Sequence, residues 1–164
     1  MFIHWVWEMR RTDLSARIAN VDWLDTDRQP EQPALCIEFD GAVDTLKDRF
    51  QGSGHRSYTP DDLDIFYRLQ PSDYAAATGG VLGVTDTVTG TYLLEVNIAP
   101  DVIEKFVSAV REYATSVDEE TRYTVELWAG GQQVGAFDKE TLLIYGTDGA
   151  LLSHRSLIPD SIET

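Results

Sequence analysis

Carboxylates are the most abundant chemistry in this chain. Asp22, Asp25 and Asp27 stand close together at the end of the first predicted strand. Asp61, Asp62 and Asp64 form a second cluster, and Asp118, Glu119 and Glu120 a third. Carboxylate oxygens hold hard cations such as calcium or magnesium, so the first cluster is the candidate centre for a metal-assisted hydrolase. The spacing of a twelve-residue calcium loop is missing, however. A chain with 28 acidic residues also places such clusters on a solvated surface without any ligand. Paired carboxylates for glycoside hydrolysis can be far apart in sequence, and nothing here selects a pair.

The other reactive side chains are isolated. His4, His55 and His154 lie in three different segments, with no HExxH and no short His–His spacing. Cys36 alternates with Leu35 and Ile37 in a predicted strand, as a small core residue does. Ser53 sits in Gly-Ser-Gly without the strand-to-helix elbow of a hydrolase nucleophile. No Walker A sequence and no GxGxxG occurs, so neither backbone cradle for a nucleotide is encoded. No catalytic residue is assigned, and no cofactor is expected.

The charge balance is more informative. The net charge is −15 and the pI about 4.3, with three lysines against ten arginines. Acidic residues run from Glu8 to Glu163 among apolar ones, so they describe a surface over a core and not a tail. At low salt such charges repel one another and oppose compaction. At molar salt the screening length falls to roughly 3 Å. The composition therefore points to a soluble halophilic protein of a salt-rich cytoplasm. It disfavours nucleic acid, whose nonspecific binding relies on Lys and Arg and fades as salt rises. No apolar run is long enough for a membrane helix. With one cysteine, no internal disulfide forms.

The elements follow from periodicity. Asp13–Leu24 alternates at Leu14, Ala16 and Ile18 and reads as a strand; 25–33 is a loop with two prolines; Ala34–Phe39 is a second strand. Asp40 suits the cap of a helix over 41–50, with Val43, Leu46 and Phe50 on one face. Leu63–Leu69 is a third strand, and Gly80–Asp86 and Thr91–Ile98 form a hairpin. Pro100 opens the strongest helix, to Val117, with Val102, Ile103, Phe106, Val107, Val110, Tyr113 and Val117 at buried-face spacing. Strands at 122–128, 132–137, 141–145 and 151–157 follow, separated by Gly130-Gly131 and Asp148-Gly149. The fold class is α+β, mainly antiparallel sheet with two helices, in the order ββαβββαββββ.

A duplicated strand-helix-strand unit is one reading of that layout, with Glu38, Ala42 and Asp44 aligned on Glu95, Ala99 and Asp101. The order also parallels a sliding-clamp domain, and Lys47 and Lys105 fall on the two helices. A clamp-like accessory of DNA metabolism would need Lys47, Arg49, Lys105 and Arg111 to converge on one exposed face. Most of the aromatic residues fall at core-facing positions. Trp5, Trp7 and Trp23 are the exception to test, since an exposed aromatic edge there would be a partner surface.

The segments VDWLDTD, QPALCIEFDGAVDTLKDRF, TYLLEVN and LLIYGTDGALLSHRSLIPDSIE resemble a small haloarchaeal family of uncharacterised acidic proteins. The resemblance runs from Met9 to the C-terminus and implies a halophilic cytoplasmic protein. It carries no activity and no site residue. Residues 1–8, MFIHWVWE, fall outside it and read as an N-terminal extension, with Met9 as the natural start and 9–164 as a single domain. The function expected is protein–protein association, with a protein partner or a second copy, and without catalysis.

Overall fold

The structure, a computed structural model, describes residues 13–50, 60–70, 79–87, 89–117 and 122–158. Among the described residues, eight strands and two α-helices follow in the order β1 (Leu14–Ala19), β2 (Ala34–Phe39), α1 (Val43–Arg49), β3 (Leu63–Leu69), β4 (Gly80–Asp86), β5 (Tyr92–Asn97), α2 (Pro100–Val117), β6 (Tyr123–Ala129), β7 (Gln132–Lys139) and β8 (Leu143–Tyr145). They form two four-stranded sheets, ordered β1-β2-β6-β7 and β5-β4-β3-β8. The α+β class and most of the expected element order are present.

The pairing corrects the expectation of mainly antiparallel sheet in one respect. Each sheet is mixed, because β2 pairs parallel with β6 and β3 parallel with β8. A parallel pair needs a long crossover, and here residues 40–122 lie between β2 and β6 and residues 70–142 between β3 and β8. β2 consequently sits inside its sheet with Leu35, Cys36 and Ile37 all buried, the continuous burial typical of a parallel strand covered on both faces.

The core forms where the inward rows of both sheets meet α2. Leu35, Ile37, Val125 and Leu127 come from the first sheet, Ile65, Tyr67, Leu82 and Val96 from the second. α2 contributes Ile103, Phe106, Val107 and Val110. Phe106 meets Tyr123 edge-on, with ring centroids 5.3 Å apart. The two deepest tyrosine hydroxyls are both satisfied: Tyr67 donates to Ile98 O and Tyr123 to Thr141 O, each at 2.7 Å. Val117, expected on the buried face, is 36% exposed because the helix runs past the core at its end.

Three local expectations change. First, Asp40 does not cap α1. Its N–H extends the β1–β2 ladder to Asp13 O at 2.7 Å, and the cap position is Ala42, with no side-chain hydrogen bond. Second, the strand expected at 151–157 is absent. Leu151 and Leu157 each make an isolated bridge, with a 3₁₀ turn at Ser153–Arg155 between them. The Ser156 hydroxyl takes the N–H of Ile144 at 2.8 Å, where a strand would present a carbonyl. Third, β1 ends at Ala19, where Asn20 takes a positive φ of 61° and turns the chain.

The aligned strand-helix junctions do match locally. The Ala42 carbonyl accepts from Thr45 and Leu46, and the Ala99 carbonyl from Val102 and Ile103. The match ends there, because β2 is interior to its sheet and β5 is an edge.

Candidate binding face on the second sheet

The two faces of β3 separate the core from the site. Leu63, Ile65 and Tyr67 point inward and are buried, while Asp64, Phe66 and Arg68 point outward. On the same outer face, β8 presents Leu143 and Tyr145, and β4 presents Gly83 and Thr85 opposite Phe66 and Asp64. An open cleft of about 480 Å³ results, lined by all of these but Gly83, together with Tyr92, Lys139 and Thr141.

Tyr92 reaches this face through a β-bulge. Val84 pairs with Leu94 and Thr85 with Tyr92, leaving Leu93 as the extra residue of β5. Simple alternation from Leu94 would have turned Tyr92 inward. The bulge lets Leu93 and Leu94 both enter the core and sends Tyr92 to the outer face, 48% exposed. Arg49, at the end of α1, holds the irregular backbone there. Its Nε donates to Leu93 O at 2.5 Å and its Nη2 to Tyr92 O at 3.1 Å.

The rings form one cluster. Phe66 lies 5.8 Å from Tyr92, tilted, and 6.5 Å from Tyr145, edge-on, between centroids. Such offset and edge contacts are the favourable ones for aromatic quadrupoles. The ring of Phe66 covers Gly83, where any Cβ would run into it. Polar groups sit at the borders. Lys139 Nζ donates to Leu63 O at 2.7 Å. Asp64 and Arg68 are exposed and have no hydrogen-bond or ion-pair partner among the described residues.

The residues singled out in the sequence lie elsewhere. Trp23 is not part of an exposed edge. It is 5% exposed, packs with Val21, Ala109 and Tyr113, and donates its indole N–H to Asn20 O. Trp5 and Trp7 lie outside the described residues, as do His4, His55, Ser53 and the 118–120 carboxylates. Asp22, Asp25 and Asp27 are exposed on the turn after β1. Among the described residues, no three His, Cys, Asp or Glu side chains are grouped to hold a metal ion. Of the basic helix residues, Lys47 and Lys105 are exposed, while two arginines hold backbone: Arg49 at the bulge and Arg111 at His154 O and Ser156 O, 3.0 and 2.8 Å away. Cys36 is 3% exposed on the outer side of the first sheet, between Arg17 and Glu126 in register. Burial, reinforced by the Glu126 carboxylate, pushes its thiol up to about 11, against a smaller opposing pull from Arg17.

Sequence reasoning missed Phe66, Tyr92 and Tyr145 as a group. One signal was present: in LDIFYRL an aromatic ring occupies the same parity as Asp64 and Arg68, the solvent side. The bulge that adds Tyr92 has no signature in the sequence.

Comparison with known families places the chain. The sequence model of a family of unknown function (DUF5793) matches residues 9–164. The chain belongs to that family. No curated protein and no solved structure matches it. As a DUF5793 member it brings no inherited site, so the aromatic face rests on its own geometry. Among the described residues, no helix is long and apolar enough to cross a membrane.

Proposed function

We propose that this protein works by non-covalent association with a protein partner, without catalysis, and that the outer face of β5-β4-β3-β8 is its contact surface. One observation carries the reading. Phe66, Tyr92 and Tyr145 gather on the solvent side of a sheet, with Tyr92 48% exposed, although an inward position was open to it but for the bulge. Aromatic anchors with a polar rim are the usual make-up of an interface centre. Asp64, Arg68, Lys139, Thr85 and Thr141 supply that rim. The chain's 28 acidic residues and three lysines suit a salt-rich cytoplasm, and a haloarchaeal source accords with both.

The test is affinity capture at molar potassium chloride with the parent protein and the Tyr92→Ser/Tyr145→Ser variant. Circular dichroism first checks that both are equally folded. A stoichiometric protein held by the parent and lost from the variant supports the reading. A captured set that is the same for both sinks it.

A further inference from the structure

We infer that β7 is a pairing edge, and that it pairs antiparallel with β7 of a second copy of the chain about a two-fold axis, joining two first sheets into one. This goes beyond the association reading above and uses a different surface. The ground is the state of the four sheet edges. β1 and β5 lie against each other, and Arg49 takes up the carbonyls of Tyr92 and Leu93. The tail closes β8: Leu142 and Leu157 exchange N–H···O bonds at 2.9 and 2.8 Å, and Ile144 donates to Ser156 Oγ and accepts from Leu152. β7 is left. Among the described residues, the backbone of Gln132–Asp138 bonds only to β6. A bare edge is a row of unused N–H and C=O groups, which proteins guard with charge, proline or short length. β7 lacks these guards over most of its span. At eight residues it is the longest of the described strands. Residues 129–137 hold no charge and no proline, although a quarter of the chain is charged. The strand bulges at Val134 and is regular from Gly135 onward.

A closed dimer uses the same patch on both subunits, so the edge must complement itself. Opposed residues must also share a face. Gly135 and Phe137, in register with Leu127 and Val125, face the core; Ala136 and Asp138, in register with Glu126 and Thr124, face out. With the axis at Ala136, Ala136 meets its own equivalent, and Phe137 of each copy stands opposite Gly135 of the other. A Cβ at Gly135 would have nothing within 4 Å, so a ring has room there. An aromatic ring beside an edge glycine is a stabilising pair. The charges Asp138, Lys139 and Glu140 all stand at one end of β7. Antiparallel pairing sets them against Val134, Gln133 and Gln132 of the other copy, so no charge meets a charge. Glu126 lies three strand spacings from its equivalent, about 14 Å, well beyond the screening length at molar salt. An axis at Phe137 would bring the two Asp138 onto a diagonal, and one at Gly135 would set Phe137 against Gln133. The uncharged half of β7 is thus the complement of its own charged end, which names the occupant. Each chain carries −15, so the dimer belongs to high salt.

The experiment is sedimentation equilibrium at molar potassium chloride on the full chain, joined to cysteine cross-linking. The parent should be a dimer. In a Cys36→Ala background, Ala136→Cys should oxidise to a covalent dimer. Directly opposed residues of antiparallel strands have Cα atoms about 4.5–5.5 Å apart, within disulfide range. Gln132→Cys, also an exposed position, should not cross-link, because its equivalent lies about 27 Å along the pair. Ala136→Lys sets two ammonium groups face to face and should weaken the dimer several-fold while circular dichroism stays that of the parent. Mixing it with Ala136→Glu should restore association, which a merely structural effect would not allow. The Tyr92→Ser/Tyr145→Ser variant should dimerise as the parent does. A monomeric parent overturns the inference. So does a dimer that Ala136→Cys leaves uncrosslinked, or one that Gln132→Cys cross-links equally well. A dimer lost with the two tyrosines also overturns it, and moves self-contact to the aromatic face.

Discussion

Gly83→Ala probes the aromatic face at its tightest point. A Cβ at Gly83 would lie 2.6 Å from Phe66 Cε1, 3.1 Å from Cε2 and closer still to Cζ. Carbon atoms in contact sit about 3.5–4 Å apart, so the ring must withdraw by roughly 1 Å. Tyr92 and Tyr145 stand on either side of it. Overpacking of this kind costs about 1–3 kcal/mol. Against that, alanine is better than glycine inside a strand by about 0.5–1 kcal/mol. The difference is a net loss of up to about 2.5 kcal/mol. In a Phe66→Ala background the obstacle is gone and only the backbone gain remains. The same substitution should then stabilise, by about 0.5–1 kcal/mol. Urea unfolding of the parent, the two single variants and the double variant at molar potassium chloride measures this change of sign. If Gly83→Ala has the same effect in both backgrounds, to within about 0.3–0.5 kcal/mol, Phe66 does not cover Gly83 and the face is not built as described.

Four further outcomes are expected. Val107→Asp puts a charge with no partner against the core side of α2, where Val107 is 4% exposed; a loss of roughly 3–5 kcal/mol should leave little helical circular dichroism, and a variant that melts like the parent would show the helix face to be misassigned. Arg49→Met removes two charge-assisted hydrogen bonds at the bulge, worth roughly 1.5–3 kcal/mol, so Tm should fall by about 3–12 °C; an unchanged Tm would mean that those carbonyls need no guanidinium. Dilution from molar to low potassium chloride should unfold the chain as screening of its −15 charge is lost, and full circular dichroism without salt would count against the halophilic reading. Cys36, raised from an ordinary 9.0 to about 11, should resist iodoacetamide at pH 8 in the native chain and react once urea unfolds it. Because the raised value favours the protonated thiol in the folded state, its stabilising effect is whole below pH 9.0 and is lost as pH rises through about 11; burial pushes Tyr67 and Tyr123 the same way, so stability that improves above pH 9 would contradict all three.

Local structure was legible where a residue's neighbours in sequence decide its environment. Ala34–Phe39, Leu63–Leu69 and Gly80–Asp86 are strands over the expected spans, and α2 runs from Pro100 to Val117 as its spacing requires. A face that must be buried imposes its period on the sequence, and an eighteen-residue helix repeats that message several times. The tail at 151–157 misled because its leucines mimic a strand, while one buried serine hydroxyl, Ser156, replaces the missing ladder partner.

What the sequence by itself determined is the burial pattern, the acidic surface and the absence of any encoded nucleotide loop. The tertiary structure alone decided which strands became neighbours across the long crossovers, β2 with β6 and β3 with β8. It alone decided that Trp23 goes inside and Tyr92 outside. The reason is physical. Burial is written residue by residue as hydrophobicity, but strand order and a bulge depend on contacts such as Arg49 with Leu93 O, 44 positions apart. The aromatic face exists because three rings, from β3, β5 and β8, are brought to one side of one sheet.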